Sequence, residues 1–222
     1  MPDPIAKEPF HFIGCHDLPE MVGRRAWNEQ ELMEGIEEAP IESLYYHIYT
    51  YFLRHPNLLD PFPNDFANWT ATKVRDTALA ECLAALDPGD YPDLEALRRD
   101  IVEGIEDHLQ RLAFIPRTLL AEPFYFMSST LIVEPTSLVA RSLGEFREIL
   151  SRVDAGVLYY HTFEAMRCRA CPHGEFATWA EEGLRFPALA RALGSIRPSL
   201  LTLEELRGEV MRVCLLALEG RL

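Results

Sequence analysis

The sequence predicts a mainly α-helical protein with a minor β component, made of two tandem repeats that pack as one pseudo-two-fold body. Three observations predict this. The chain writes Leu44-Tyr45-Tyr46-His47 a second time as Leu158-Tyr159-Tyr160-His161, and Asp65-Phe66-Ala67-Asn68-Trp69 again as Glu175-Phe176-Ala177-Thr178-Trp179. The offset between copies holds at 114 residues from Pro9 against Pro123 up to the Tyr-Tyr-His triplets. It then becomes 110 from Phe66 against Phe176, and 109 from Leu94 against Leu203, the trace of a tandem duplication with small loop deletions. Finally, apolar residues recur at steps of three and four through most of both copies, the period of an amphipathic helix. With 222 residues in all, each copy has enough chain to bury a core of its own.

The repeats are placed at residues 9–114 and 123–222, after an N-terminal tail of residues 1–8. Each opens on a short strand, Phe10 to Cys15 and Phe124 to Met127, and the two are candidates to pair across the repeat. A first helix over Asn28 to Glu38 turns Leu32, Ile36 and Ala39 inward and carries an acidic outer face of Glu29, Glu31, Glu34 and Glu37. Its counterpart carries Leu143, Phe146, Ile149, Leu150 and Val153. A second helix, from Glu42-Ser43, aligns Leu44, Ile48, Tyr51 and Phe52 and puts His47 beside that stripe, at least half buried. Pro56, Pro61 and Pro63 make residues 55–63 a loop. A third helix starts at Asn64 or Asp65 and runs to about Leu86, where Asp87-Pro88-Gly89-Asp90 ends it. The last carries Leu94, Leu97, Ile101, Ile105 and Leu109, matched by Leu203, Leu206, Val210, Cys214 and Leu218. Residues 115–122 form an apolar linker, which predicts that it packs.

A net charge of −14, without a Lys/Arg cluster to offset it, argues against nucleic acid and anionic membranes as partners. No apolar run reaches the roughly 18 residues of a membrane helix, and the first residues lack a basic-then-apolar leader pattern, so the expectation is a cytoplasmic protein. Five cysteines, an odd number at positions that do not recur between the copies, do not read as a disulfide framework.

Tyr45-Tyr46-His47, Asn64-Asp65-Phe66-Ala67-Asn68-Trp69 and Leu79-Ala80-Glu81 together resemble an uncharacterised prokaryotic domain family whose members share a histidine, an Asn-Asp-Phe-Ala-x-Trp turn and a Leu-Ala-Glu helix. The resemblance covers most of the first copy. It is weaker in the second, where Asn64-Asp65 becomes Gly174-Glu175 and Glu81 becomes Arg191. It implies a fold and no activity.

His47 with Asp65, and His161 with Glu175, are the pairs that can carry chemistry. A carboxylate on one ring nitrogen fixes the tautomer and leaves the other nitrogen as general base or ligand. The same pair also serves as a structural pin, because an acidic residue in a helix's first turn complements its dipole and can fasten a neighbouring helix through the imidazole. Tyr46 and Trp69 belong to an aromatic set that either lines a groove between the second and third helices or fills the core. Cys168, Cys171 and His173 have spacing that can hold zinc, with Cys15 and His16 as a weaker completion of the tetrahedron; redox use or plain loop thiols remain the other readings. Glycine-loop, G-x-S-x-G and H-E-x-x-H signatures are absent. The expectation is a binding or regulatory protein that recognises a protein partner or small ligand through Tyr46, His47, Asp65, Trp69, His161 and Glu175, and that holds either no cofactor or a zinc ion. The alternatives are a hydrolase using His47 and Asp65, and a zinc-stabilised scaffold.

Overall fold

The structure, a computed structural model, describes residues 3–57, 61–111, 122–167 and 173–222. Its main departure from the sequence expectation is the β component. Strands β1 (Ile5–Ala26) and β2 (Phe124–Ser142) run 22 and 19 residues and pair as a two-stranded antiparallel ribbon. With 57% of the described residues in helix and 20% in strand, the fold is mixed α+β rather than mainly α with short strands. Alternation betrays only the ends of the ribbon, where Phe10, Phe12 and Cys15 of β1 and Phe124 and Phe126 of β2 are buried. Between them the strands are largely exposed, mix polar residues with exposed apolar ones such as Leu18, Met21, Ile132 and Val133, and are interrupted by Pro19 and Pro135, so no period of two is there to read. Both prolines are tolerated because each strand has only one neighbour, and a missing N–H can face outward.

The chain divides into two compact units, each assembled from separate segments. One comprises Asp17–Arg54 and Leu59–Leu131. It holds helices α1 (Glu29–Glu38), α2 (Ile41–Ile48), α3 (Thr50–Arg54), α4 (Asp65–Trp69), α5 (Thr77–Ala84) and α6 (Leu94–Leu109). Its core joins Leu32 and Ile36 of α1, Leu44 and Ile48 of α2, Phe66 and Trp69 of α4, Leu79 and Leu83 of α5, and Leu97, Ile101 and Ile105 of α6 to Phe124 and Phe126 of β2. The fit is close: a Cβ on Gly35 would lie 2.1 Å from the Phe126 ring, so α1 needs a glycine where the strand crosses it. Asn28, Asn64, Asp76 and Asp93 cap α1, α4, α5 and α6 by accepting from the first-turn amides.

Two expected helices are broken in this unit. The second divides into α2 and α3, and the Thr50 hydroxyl at the junction donates to the Tyr46 carbonyl at 2.9 Å, a back-bond that bends helices. The third gives way to a π-helical turn over Thr70–Val74, closed by Arg75 at φ 68°, and Asp76 then caps α5 as a new start. The outer face expected for α1 also needs correction. Glu29 is fully buried, leaving Glu34, Glu37 and Glu38 toward solvent.

The other unit comprises Met1–His16, His55–Leu58 and Ile132–Leu222. It contains α7 (Leu143–Leu150), α8 (Ala155–Tyr159), a π-helical turn over Tyr160–Glu164, α9 (Ala165–Arg167), α10 (Glu175–Glu182), α11 (Pro187–Gly194) and α12 (Leu203–Leu218). Phe10 of β1 packs on Phe146, Phe176 and Trp179, and Phe12 stacks on Phe146 at 5.5 Å. Gly156 is held close to the ribbon: a Cβ there would lie 2.2 Å from the Cys15 carbonyl oxygen. Thr202 and Glu205 form a reciprocal capping box at the start of α12. A short strand followed by four helices of the same repeat is therefore not the composition of either unit. The α1–α6 unit closes on Phe124 and Phe126, and the α7–α12 unit on Phe10 and Phe12.

Among the described residues, no helix is long and apolar enough to cross a membrane. The packed linker expected at residues 115–122 lies, except for Glu122, outside the described residues.

Candidate functional site

The six residues Asn64 to Trp69 each have a definable task. Asn64 Oδ1 accepts from Ala67 N–H at 2.8 Å, and its amide donates to the Leu83 carbonyl. Phe66 and Ala67 enter the core. Asn68 Nδ2 donates to the Phe62 carbonyl at 2.7 Å while its Oδ1 accepts from Phe62 N–H at 3.1 Å, holding the proline-rich loop against α4. The Trp69 indole donates to the Glu122 carbonyl at 3.2 Å, just ahead of β2. Trp69 thus holds the approach to the ribbon and is buried in the core.

Asp65 reaches the other way. Its Oδ2 lies 2.8 Å from His47 Nδ1 and 2.6 Å from Arg54 Nη2. On the opposite edge of the ring, the backbone N–H of Met127 donates to His47 Nε2 at 3.0 Å. Because Nε2 faces a donor it must accept, which places the proton on Nδ1 for donation to Asp65. The ring itself is packed among Phe66, Phe124 and Phe126. Burial pushes His47 below the ordinary histidine range, and the Arg54 charge adds to this, against the favourable contact with Asp65. Burial alone would raise the Asp65 carboxyl, but the His47 hydrogen bond and the Arg54 guanidinium outweigh it and hold Asp65 below its usual value. The state is a neutral imidazole against a carboxylate, with both ring nitrogens engaged.

The second pair has the same arrangement. His161 Nδ1 is hydrogen-bonded to Glu175 Oε2, and Ile13 N–H donates to Nε2 at 2.8 Å, with Phe10 4.7 Å from the ring. The Trp179 indole donates to the Glu8 carbonyl at 2.9 Å. In each unit, then, a histidine holds a strand main chain and a tryptophan holds the main chain in or just ahead of that strand, and neither histidine has a lone pair left with which to take a proton from a substrate.

Titration of the His47–Asp65 pair has a definite sign. Unfolded, His47 takes up a proton near pH ~6.5, which the folded unit refuses until lower pH; its contribution is full above ~6.5 and falls as pH drops toward the depressed folded value. Asp65 acts in the same direction further down, losing its contribution as pH falls below its ordinary ~3.9. The stability difference between wild type and His47→Gln, measured by urea unfolding, is expected to shrink as pH is lowered from about 6.5, at up to ~1.4 kcal/mol per pH unit. A difference that stays constant down to about pH 4.5 would contradict the neutral-imidazole assignment.

Beside this pin lies a polar cluster within the α1–α6 unit that sequence reasoning did not find. The Arg54 guanidinium stacks over the Tyr46 ring at 4.1 Å, and its Nη2 also donates to the Tyr46 carbonyl. Asp17 of β1 sits within electrostatic reach of Arg54, beside the hydroxyls of Ser129 and Thr50. Burial pushes the Asp17 carboxyl up, despite those hydroxyls and Arg54. Asp17 Oδ1, Arg54 Nε and Ser129 Oγ are buried without a well-aligned hydrogen bond, although the Ser129 hydroxyl lies close enough to lower the Asp17 carboxyl. Buried polar atoms are normally paired, so three orphans in one cluster mark a place that accepts something more. A signal for Arg54 existed, since it stands seven residues after His47 and so on the same helical face. Asp17 had none, lying in the featureless middle of the ribbon.

Of the residues expected to hold zinc, Cys168 and Cys171 lie outside the described residues, and His173 is exposed. Cys15 and His16 are adjacent on a strand and point to opposite faces: the Cys15 thiol is buried and donates to the Gly156 carbonyl at 3.2 Å, whereas His16 is exposed, 3.8 Å from Glu134. Among the described residues, no three His, Cys, Asp or Glu side chains come together as a metal site.

A model of a family of unknown function, DUF5752, matches residues 7–215. The solved structure described as "The structure of OrfY from Thermoproteus tenax" is similar over 95% of both chains, with 28% sequence identity and a TM-score of 0.75. No curated protein matches.

Proposed function

The chain belongs to the DUF5752 family, whose function is unknown, and we propose that it is a cytoplasmic, non-catalytic binding protein that takes a small polar ligand at the Asp17–Arg54 cluster of the α1–α6 unit. The observation that carries this reading is the set of three buried, unpartnered atoms: an acceptor on Asp17, a donor on Arg54 and a hydroxyl on Ser129. A ligand that gives a donor to Asp17 and an acceptor oxygen whose two lone pairs take Arg54 and Ser129, as an amide or amino-acid headgroup does, satisfies all three. Tyr46 supplies an aromatic wall and fixes the guanidinium by cation–π contact. Asp65 and His47 orient Arg54 from the ribbon side.

The tandem repeat supports a division of labour. At the register of Thr50 and Ser129 in the α1–α6 unit, the other unit carries Glu164, which is paired with Arg167, and Cys15, whose thiol is bonded to Gly156. Among the described residues, the orphaned atoms therefore mark one unit as the ligand-bearing one. A hydrolase built on His47 is disfavoured by the engaged Nε2.

Native mass spectrometry of the full chain with a panel of amino acids and small amides tests the proposal. A retained adduct is expected for wild type, and its affinity is expected to fall by about tenfold or more in Arg54→Met, since a hydrogen bond to a charged group contributes ~1.5–3 kcal/mol. Equal binding by Arg54→Met and wild type, or binding by neither, would contradict it.

A further inference from the structure

Away from this cluster, the α1–α6 unit contains a second group of polar side chains that the proposed binding role does not use. Glu29, the first residue of α1 after its Asn28 cap, is completely buried, and neither of its carboxyl oxygens meets a side-chain partner, only its own backbone amide being within reach. The charged groups that reach it come from the helices around it: Asp76, the cap of α5, and His108, in the last turn of α6. Asp76 and His108 are bonded to each other, Oδ2 to Nε2 at 2.7 Å, while Asp76 Oδ1 caps the Leu79 amide, so neither is turned to Glu29 as a partner. Thr70, whose carbonyl accepts from Asp76 N–H, adds a buried hydroxyl without a partner.

Among its described residues, the other unit has none of this at the matching positions. At the same register, Leu143 follows the Ser142 cap of α7, Phe186 precedes α11, Ala217 stands in the last turn of α12, and Ala180 matches Thr70. Leu143 and Ala217 are buried there as ordinary apolar packing. An apolar set is thus compatible with this packing of helices, and the acid is not required for the architecture. Burying an unpartnered carboxylate is costly, whereas a protonated carboxyl is neutral and its cost is that of a lone polar group.

We propose that Glu29, flanked by Asp76 and His108, is a proton-operated latch of the α1–α6 unit. With its proton on, the carboxyl lets α1 close on α5 and α6. When the proton is lost, a buried charge beside the Asp76 carboxylate loosens that closure. Burial, and after it the Asp76 charge, push the Glu29 carboxyl up, against a hydrogen bond from its own backbone amide and the pull of His108. For a carboxyl raised on folding, the contribution to stability is full below the unfolded value and is lost as pH rises through the folded one. This is the opposite sign to His47, which weakens the same unit on the acid side.

The test is hydrogen exchange on the full chain, comparing wild type with Glu29→Leu, which installs the side chain found at the matching position, at about pH 4.5 and about pH 8 after correction for intrinsic exchange. The ratio of wild-type to variant protection in α1 and α6 is expected to fall by about tenfold or more between the two pH values, with no such change in α7 and α12. Should Glu29→Leu not fold, Glu29→Gln, which keeps the shape and cannot ionise, serves as the reference. A ratio independent of pH, or a fall shared equally by α7 and α12, overturns the proposal.

Discussion

Replacing His47 with alanine is expected to lower the stability of the α1–α6 unit by about 3 kcal/mol, measured by urea unfolding. The loss has three sources. The Met127 amide and the Asp65 carboxylate each lose a buried partner, and an unsatisfied buried group costs about 1–3 kcal/mol. The ring also leaves a cavity among Phe66, Phe124 and Phe126. Asp65 keeps Arg54, which moderates the cost on that side. His161→Ala is expected to act in the same way on the α7–α12 unit through Ile13 and Glu175. Unchanged unfolding midpoints in both variants would remove the histidine pin from the account.

Phe126→Ala is expected to cost about 3–5 kcal/mol, the usual range for deleting a fully buried phenylalanine. Its ring fills the space that Gly35 leaves open on α1 and touches His47 and Phe124, so the deletion opens a void where strand, α1 and α2 meet. The surroundings cannot collapse easily, because the strand is fixed by Met127 to His47 and the approach to it by Trp69. Phe12→Ala is expected to cost a similar amount through Phe146 and Phe10. A cost below about 1 kcal/mol in either variant, again by urea unfolding, would mean that the ribbon is not integral to these cores.

What the sequence made legible follows from what leaves a period. The four-residue steps of Leu97, Ile101 and Ile105 marked α6, and their counterparts marked α12, because long helices with one buried face repeat themselves. The resemblance to an uncharacterised family agrees with the family model that matches residues 7–215. The ribbon was readable only at Phe10, Phe12, Phe124 and Phe126, since a strand pair with little to bury on either face has no alternation. Which helices those phenylalanines would cover was hidden altogether, because pairing between distant segments leaves no local pattern. At the site, the His47–Asp65 contact was anticipated from residue types, but the role of Met127 was not, as a backbone amide carries no sequence signature. Glu29 was misjudged for a related reason: one acid at the start of an acidic helix looks the same whether it faces water or core.

The most direct test of the account is hydrogen exchange followed by mass spectrometry on Phe126→Ala and Phe12→Ala in the full chain. The central claim is that Phe124 and Phe126 at the start of β2 complete the core of the α1–α6 unit, while Phe10 and Phe12 near the start of β1 complete that of the α7–α12 unit. Phe126→Ala is therefore expected to raise exchange in α1, α2 and α6, encoded before it in the chain, and Phe12→Ala to raise it in α7, α10 and α12. Loss of protection in α7 and α12 with Phe126→Ala, or in α1 and α6 with Phe12→Ala, would mean that each strand serves the helices that follow it, and would contradict the claim.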